Sequence, residues 1–246
     1  MKIQQNQRRA IIVGASSGIG QRLARLLLHD GWYLGVAARR EAPLALLAKE
    51  FPGQVVWRCL DVTDTQAAGQ LEQLVKDTGG MDLFLYASGV GMINSNLDPE
   101  PEEVTLRTNA LGFTRMVGAA YRYFARYGRG HIAVITSIAG IRGLGPSPSY
   151  SATKALQSSY LEALEQQSHV RGLKIRFTDI RPGFIDTPLL HGDKFPHTLS
   201  ADKASRSILK AIYCNRNVAY IDGFWHVVVM LMRLIPRALW RRMNLH

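Results

Sequence analysis

Seven short apolar runs, rich in β-branched residues, recur along the 246-residue chain and alternate with longer amphipathic stretches. They lie at residues 10–15, 33–38, 55–60, 82–87, 131–137, 174–180 and 218–222. Apolar runs of this length predict buried strands, whereas apolar residues three or four positions apart predict helices. Between the first two runs, Ile19, Leu23, Leu26 and Leu27 keep helical spacing, and Gly31 follows where a C-terminal helix cap belongs.

The repeated order of strand, helix and strand predicts right-handed crossovers and a parallel sheet covered on both faces. The predicted fold is therefore α/β, with a single doubly wound, Rossmann-type parallel sheet of about seven strands and helices on both faces. No internal repeat or long linker interrupts the chain, so residues 1–246 are expected to form one domain. Ligands of such folds lie beyond the carboxyl ends of the strands.

Composition and charge narrow the classes of protein. Hydrophobic residues make up 47% of the chain and charged residues 20%, which is ordinary for a globular protein with a full core. The net charge of +11 raises the question of a nucleic-acid partner. The arginines are scattered, however, and no nucleic-acid module is recognisable, so we expect no nucleic-acid partner.

The densest basic stretch is the C-terminal tail, residues 225–246, where Arg233, Arg237, Arg241 and Arg242 occur among apolar residues without an acidic one. Its apolar run is shorter than the roughly 20 residues that span a bilayer. Two readings stay open. The tail either lies on an anionic membrane surface or packs on its own domain or on a second subunit.

Cysteine usage and the N-terminus favour an intracellular protein. Cys59 and Cys214 are far apart and have no CxxC partner, and the early apolar stretch, residues 10–13, is short for a signal peptide. The expected location is cytoplasmic, with the peripheral inner membrane surface as the alternative that the tail suggests.

A glycine-rich segment, "VGASSGIG", joins the first predicted strand to the first predicted helix. Gly14, Gly18 and Gly20 permit a tight turn, and the N–H groups at the helix start favour a pyrophosphate. In this context the segment predicts a dinucleotide-binding loop. Ser16 and Ser17 either bond the cofactor phosphates or cap the turn.

The end of the second strand, "VAARRE", indicates which dinucleotide binds. A carboxylate there would select the ribose of NAD, but Ala38 stands in its place and Arg39 and Arg40 follow. Guanidinium groups suit a phosphate dianion, so the cofactor is predicted to be NADP(H). For Arg40 a solvated loop charge is an equally good reading.

The segment "YSATK" carries the candidate chemistry. Tyr150 and Lys154 are four residues apart and share one helix face, where the lysine cation is expected to lower the pKa of the tyrosine toward the working pH. Ser137 ends the fifth predicted strand, where its hydroxyl would orient a carbonyl or alcohol oxygen. Neither an HExxH nor a CxxC metal motif is present, so no metal site is predicted.

Taken in register over roughly residues 9 to 223, these motifs resemble the classical short-chain dehydrogenase/reductase family. The resemblance implies that Asp61 of "LDVTD" contacts the adenine and that Asn109 of "RTNALG" holds a water connecting Lys154 to solvent. It implies that "RPGFIDTP" holds the nicotinamide amide through the Ile185 backbone and the Thr187 hydroxyl. The other implied cofactor contacts are Ile19, Val62, Ala87, Gly89, Pro182 and Gly183, together with Tyr150 and Lys154.

The resemblance also implies a homo-oligomer, a dimer or a tetramer, built through the helices that begin near residues 102 and 150. Residues 184–200 would form a lid over the substrate. Leu189, Leu190 and Phe195 make an apolar small-molecule substrate the expectation, unless the lid packs on its own protein.

The predicted function is thus an NADP(H)-dependent oxidoreductase that interconverts a carbonyl and an alcohol, with Tyr150 as general acid and base beside Ser137, Lys154 and Asn109. The alternatives are an NADPH-binding sensor without turnover and a membrane-surface protein.

Overall fold

The computed structural model describes residues 7–190, 195 and 197–244. The strands, in chain order, are β1 (Arg9–Val13), β2 (Tyr33–Ala38), β3 (Val55–Cys59), β4 (Leu83–Tyr86), β5 (Arg129–Ile135), β6 (Lys174–Pro182), β7 (Ile185–Asp186), β8 (Leu199–Ser200) and β9 (Val218–Ile221). Seven of them form one sheet in the order β3-β2-β1-β4-β5-β6-β9, and every neighbouring pair is parallel. The short strands β7 and β8 pair separately.

The helices are α1 (Gly18–His29), α2 (Glu41–Glu50), α3 (Ala67–Thr78), α4 (Pro99–Leu106), α5 (Phe113–Tyr127), α6 (Pro148–Val170), α7 (Ala201–Tyr213), α8 (Gly223–Leu234) and α9 (Arg237–Trp240). A π-helical turn, Arg107–Gly112, joins α4 to α5, and 3-10 turns occupy Ile138–Gly140 and Pro188–Leu190. As expected, Gly31 follows the end of α1 with a positive φ of +80°, where a side chain would be strained.

The sheet separates two apolar layers, because successive side chains of a strand point to opposite faces. Ala10 and Ile12 of β1 belong to the layer under α1, α2 and α7, whereas Ile11 and Val13 belong to the layer under α3, α5 and α6. The doubly wound fold and all seven predicted main strands are thereby confirmed.

The position of β1 in the sheet indicates where a ligand would bind. It pairs with β2 on one side and with β4 on the other, so the chain reverses its direction of winding between β1 and β4. In open α/β sheets ligands bind at this switch point, outside the carboxyl ends of the strands. Gly14 and Ala87, which directly follow these two strands, lie there.

Candidate active site

The loop between β1 and α1 is built on glycines that leave no room for side chains. Gly14 has a φ of +94°, and a Cβ there would stand 2.5 Å from the backbone nitrogen of Ser88. A Cβ at Gly20 would come within 2.2 Å of the Gly14 carbonyl oxygen. The start of α1 is therefore pressed against the ends of β1 and β4.

The N-terminus of α1 suits an anion. Ser17 is the N-cap residue, but its side chain does not cap the helix; its hydroxyl accepts a 2.7 Å hydrogen bond from Nη2 of Arg40. The same nitrogen donates to Ser16 Oγ at 3.2 Å, and the first turn holds no acidic residue. Of the two readings of Ser17, capping of the turn is thus wrong. The uncapped N–H groups, both serines and Arg40 form a cradle that fits cofactor phosphates.

The predicted adenine side lies at the ends of β2 and β3. Asp61 is held by an Asx turn, since its Oδ1 accepts from the backbone nitrogen of Thr63 at 2.9 Å and from its hydroxyl at 2.8 Å. Val62 is buried against Gly112 of the π-helical turn. The side chain of Arg39 is exposed beyond the end of β2.

The catalytic candidates meet at the end of β5. Ser137 begins the 3-10 turn, and its Oγ accepts from the backbone nitrogen of Ala139 at 3.1 Å. The Ser137 hydroxyl also lies close enough to Tyr150 to lower the pKa of that phenol. The Nζ of Lys154 lies 5.7 Å from the centre of the Tyr150 ring. The predicted trio of a hydroxyl, a phenol and an amine is therefore brought together.

The direction of the Tyr150 pKa differs from the sequence-based expectation. Burial raises it above the ordinary value for tyrosine, and the hydrogen bond with Ser137 lowers it only in part. The expected fall in the pKa of Tyr150 is therefore wrong for the protein without its cofactor. The physical reason is burial, which disfavours the phenolate more than the Ser137 hydroxyl favours it.

Lys154 is a buried cation with two protein partners. Its Nζ donates to the Ile135 carbonyl oxygen and to Oε1 of Gln157, each at 3.1 Å. Burial lowers the pKa of Lys154 to about 8, and the carboxylate of Asp179 opposes this shift. The lysine is thus poised near neutral pH, where a group of variable charge is most useful for proton transfer.

Asn109 reaches the site through its backbone. Its side-chain amide is hydrogen-bonded to the backbone of Val90: it donates to the Val90 carbonyl at 2.7 Å and accepts from the Val90 N–H at 2.9 Å. The π-helical turn presents the Asn109 carbonyl, which accepts a 2.8 Å bond from Nε2 of Gln157. In the described protein the link from Asn109 to Lys154 is therefore the Gln157 side chain.

Sequence reasoning missed three contributors to this site. Gln157 lies three residues after Lys154 on the same helix face, a spacing that would have indicated it. Gly91 lies against Tyr150, since a Cβ there would stand 3.0 Å from ring atom Cε2. Asp179, buried on β6, left no local signal of a role here, because its proximity to Lys154 depends on the folded sheet.

The predicted nicotinamide segment follows β6. Pro182 ends this strand, and a Cβ on Gly183 would collide with the Trp225 ring at 2.4 Å. Ile185 is buried in β7, and the Thr187 hydroxyl donates to the Ile185 carbonyl at 3.3 Å. A Cβ at Gly18 would lie 3.6 Å from the Thr187 side chain, so this segment meets the glycine loop.

The lid prediction falls partly on residues 191–194 and 196, which lie outside the described residues. In the described part the Phe184 and Phe195 rings stack with centres 4.1 Å apart, and Trp225 meets Phe184 edge-on. Phe195 therefore packs on its own protein, whereas Leu189 is 40% exposed.

The remaining predicted cofactor residues lie along the same edge of the sheet. Ile19 is in the first turn of α1 and the Ala87 backbone nitrogen donates to Val13 at 2.8 Å. A Cβ at Gly89 would stand 3.3 Å from Asn109 Oδ1 and 3.7 Å from Lys154 Nζ. Within residues 7–190, 195 and 197–244, no group of three or more His, Cys, Asp or Glu is placed to hold a metal ion.

Comparisons with known proteins identify the family of this chain. Residues 8–194 match the family described as short chain dehydrogenase. The chain is 33% identical over 199 residues to an uncharacterised oxidoreductase of Myxococcus xanthus, covering 78% of each chain. It is 26% identical over 227 residues to a 3-oxoacyl-[acyl-carrier-protein] reductase of Bos taurus, covering 86% of this chain and 95% of the relative.

Among solved structures, a short chain dehydrogenase from Burkholderia cenocepacia in complex with NADP has the same fold, with a TM-score of 0.83 at 22% identity and 98% of each chain covered. The family match spans the glycine loop, the Ser137, Tyr150 and Lys154 cluster and the segment after β6. The chain therefore belongs to the short-chain dehydrogenase family of oxidoreductases.

Proposed function

We propose that the protein is an NADP(H)-dependent oxidoreductase that interconverts a carbonyl and an alcohol, with Tyr150 as the general acid and base. The observation that carries this proposal is the contact of Ser137 with Tyr150 beside the buried Lys154, at the same sheet edge as the glycine loop. A protein that only sensed NADPH would have no use for a buried phenol and amine at that place.

The cofactor, when bound, would exchange a hydride with the carbonyl carbon. The chain's own residues orient the substrate's carbonyl or alcohol oxygen and exchange a proton with it. Ser137 orients it through its hydroxyl, and Tyr150 donates a proton to it in reduction or accepts one in oxidation. Because burial keeps Tyr150 protonated, the protein groups favour the donor form. The nearby Lys154 cation stabilises the phenolate that proton donation leaves behind.

The preference for NADP(H) is supported by charge. Arg40 bonds both loop serines, and Arg39 is exposed next to it with no carboxylate at Ala38. Together these groups offer a cationic, hydrogen-bonding pocket for a phosphate. The similar Burkholderia protein is a complex with NADP.

The substrate is proposed to be apolar, since Leu189 is exposed on the segment that leads away from the nicotinamide-binding residues. Self-association also stays a proposal. It is supported by exposed apolar residues on α4, the π-helical turn and α6, namely Val104, Leu106, Leu111 and Leu156.

The test of the proposed activity is oxidation of NADPH with a panel of ketones and aldehydes. Tyr150→Phe keeps the ring and removes the proton, so kcat should fall by about 10²- to 10⁴-fold while NADPH still binds. Tyr127→Phe, at an exposed tyrosine, is the matched control and should retain full activity. Turnover of Tyr150→Phe at the wild-type rate, or no binding of NADPH by the wild type, would refute the proposal.

Cofactor choice is tested with Arg39→Ala and Arg40→Ala. Each change removes a cation near the proposed phosphates, so the Kd for NADPH should rise at least about tenfold, and Arg39→Ala should leave the Kd for NADH little changed. Fluorescence titration with both cofactors measures this. Arg206→Ala, an exposed arginine on α7, is the control. Equal weakening of NADH and NADPH by Arg39→Ala would defeat the assignment of Arg39.

A further inference from the structure

Helix α8 is apolar on two opposite faces. Trp225 and Val229 point inward and are buried. On the other side, four apolar residues follow each other at intervals of three or four, which places them on one helix face. They are Phe224, Val227, Leu231 and Leu234, and their exposures are 46%, 59%, 58% and 79%. A helix that is apolar all round is normally covered.

Next to this exposed face lies an open cavity of about 600 Å³ whose polar lining is cationic. Four arginines line it: Arg142, Arg181, Arg233 and Arg237. Leu234 belongs both to the cavity wall and to the exposed apolar row, so the two features are continuous. We call them together the α8 surface.

The charges of the cavity are only partly balanced. Arg181 pairs with the buried Asp179 at 2.7 Å, and both Arg181 and Arg233 donate to the Tyr220 hydroxyl, at 3.3 and 3.1 Å. Arg142 donates to the carbonyl of Ile235 at 2.9 Å. Within the described part of the chain, Asp179 is the one carboxylate bonded to these arginines, and the sequence of residues 223–246 contains no acidic residue.

Two occupants suit an exposed apolar face, and charge separates them. A second copy of this chain packed about a two-fold axis would bring the same arginines to the same interface, where like charges repel. An anionic bilayer offers apolar chains for the exposed row and phosphates for the guanidinium groups.

We propose that the α8 surface docks on an anionic membrane, with the phosphate of a lipid headgroup held in the arginine cavity. The helix lies on the surface and does not cross it, because 12 residues at about 1.5 Å each are shorter than a hydrocarbon core of about 30 Å. In agreement, the described part of the chain contains no helix that is long and apolar enough to traverse a bilayer.

The experiment is flotation of the full-length protein with vesicles of phosphatidylcholine alone and of phosphatidylcholine mixed equally with phosphatidylserine. The wild type should float with the mixed vesicles and not with the neutral ones. Arg237 lines the cavity and forms no ion pair with another described residue, so Arg237→Glu reverses a charge there without breaking one, and it should lower binding at least about tenfold. Val227→Ser with Leu231→Ser should lower it further, at any salt concentration.

The matched control is Arg206→Glu, which changes the charge equally on α7. Point variants are preferable to deletion of the tail, because Trp225 is part of the core beside Gly183. The proposal is overturned if neutral vesicles bind as well as anionic ones, or if Arg206→Glu weakens binding as much as Arg237→Glu. It is also overturned if the wild type does not float with either kind of vesicle and instead forms a dimer that Leu231→Ser dissociates. The occupant of the α8 surface would then be a second copy of the chain. Inorganic phosphate added as a competitor should leave flotation largely intact, because the apolar row contributes to lipid binding alone.

Discussion

Lys154 is held by two partners of different kinds. The carbonyl of Ile135 belongs to a strand and is fixed, whereas the amide of Gln157 is a side chain that also donates to Asn109. Each accepts a hydrogen bond from the ammonium form, so both favour the charged lysine against burial. Burial lowers the pKa of Lys154 to about 8, and the carboxylate of Asp179 opposes this shift.

Gln157 is therefore expected to position and tune Lys154 without contacting the substrate. Gln157→Leu removes one acceptor, so the pKa of Lys154 should fall further and the alkaline limb of the kcat profile should move to lower pH. Gln157→Glu places a carboxylate beside the ammonium, which should raise that pKa and move the limb to higher pH. The measurement is kcat as a function of pH.

Opposite movement of the two profiles separates this role from a structural one, which would lower kcat without shifting the limb. Gln167→Leu, on an exposed position of α6, serves as the control. Identical pH profiles for Gln157→Leu and wild type would contradict the assignment.

At the scale of single residues, part of the site could be predicted from the sequence. The spacing of Tyr150 and Lys154 on one helix was enough to pair them, because a helix face is a local property. The bridge through Gln157 was not predictable in the same way. It depends on a π-helical turn that presents the Asn109 carbonyl from a distant part of the chain.

At the scale of elements, strands were easier to predict than the tail. Each main strand is a continuous apolar run because it is buried on both faces, and that signal is strong in sequence. The tail was predicted as one segment from residue 225, but α8 begins at Gly223, where the Asp222 side chain accepts from the Phe224 nitrogen and caps it. An apolar run alone does not say which of its sides is covered.

The lid segment shows the same limit. The sequence pattern identified Phe195 as apolar, yet its ring stacks on Phe184, which in turn meets Trp225 of α8. Trp225, which contacts Phe184, lies on a helix 41 positions after it, and no local pattern specifies such a contact. The segment after β6 and α8 are consequently one packed unit.

For the whole molecule, acid stability should depend on one central histidine. His131 lies on β5 in the middle of the sheet, with Nε2 2.8 Å from the Thr178 hydroxyl. Burial, assisted by Arg176, lowers the pKa of His131 to about 4. The unfolded chain, with a pKa near 6.5 at this residue, binds the proton first. Stability should therefore fall as the pH falls from about 6.5 to about 4.

His131→Gln keeps a hydrogen-bonding group and removes the titration. Between about pH 6.5 and 4 the free energy of unfolding of the variant should therefore fall by up to about 3 kcal/mol less than that of the wild type. Urea unfolding at several pH values measures it. His169→Gln, at an exposed histidine, is the control for loss of a histidine as such. Curves that flatten equally in both variants would contradict the role of His131.

The central place of β1 also bears on how the protein is made. Ala10 pairs with Leu34 and with Leu83, so β1 has both of its neighbours only after β4 has been synthesised. Until then one edge of β1 has unpaired N–H and C=O groups, which can pair with strands of other chains. Non-local parallel pairing of this kind folds slowly. Nascent chains that end before residue 86 are therefore expected to aggregate unless a chaperone shields them.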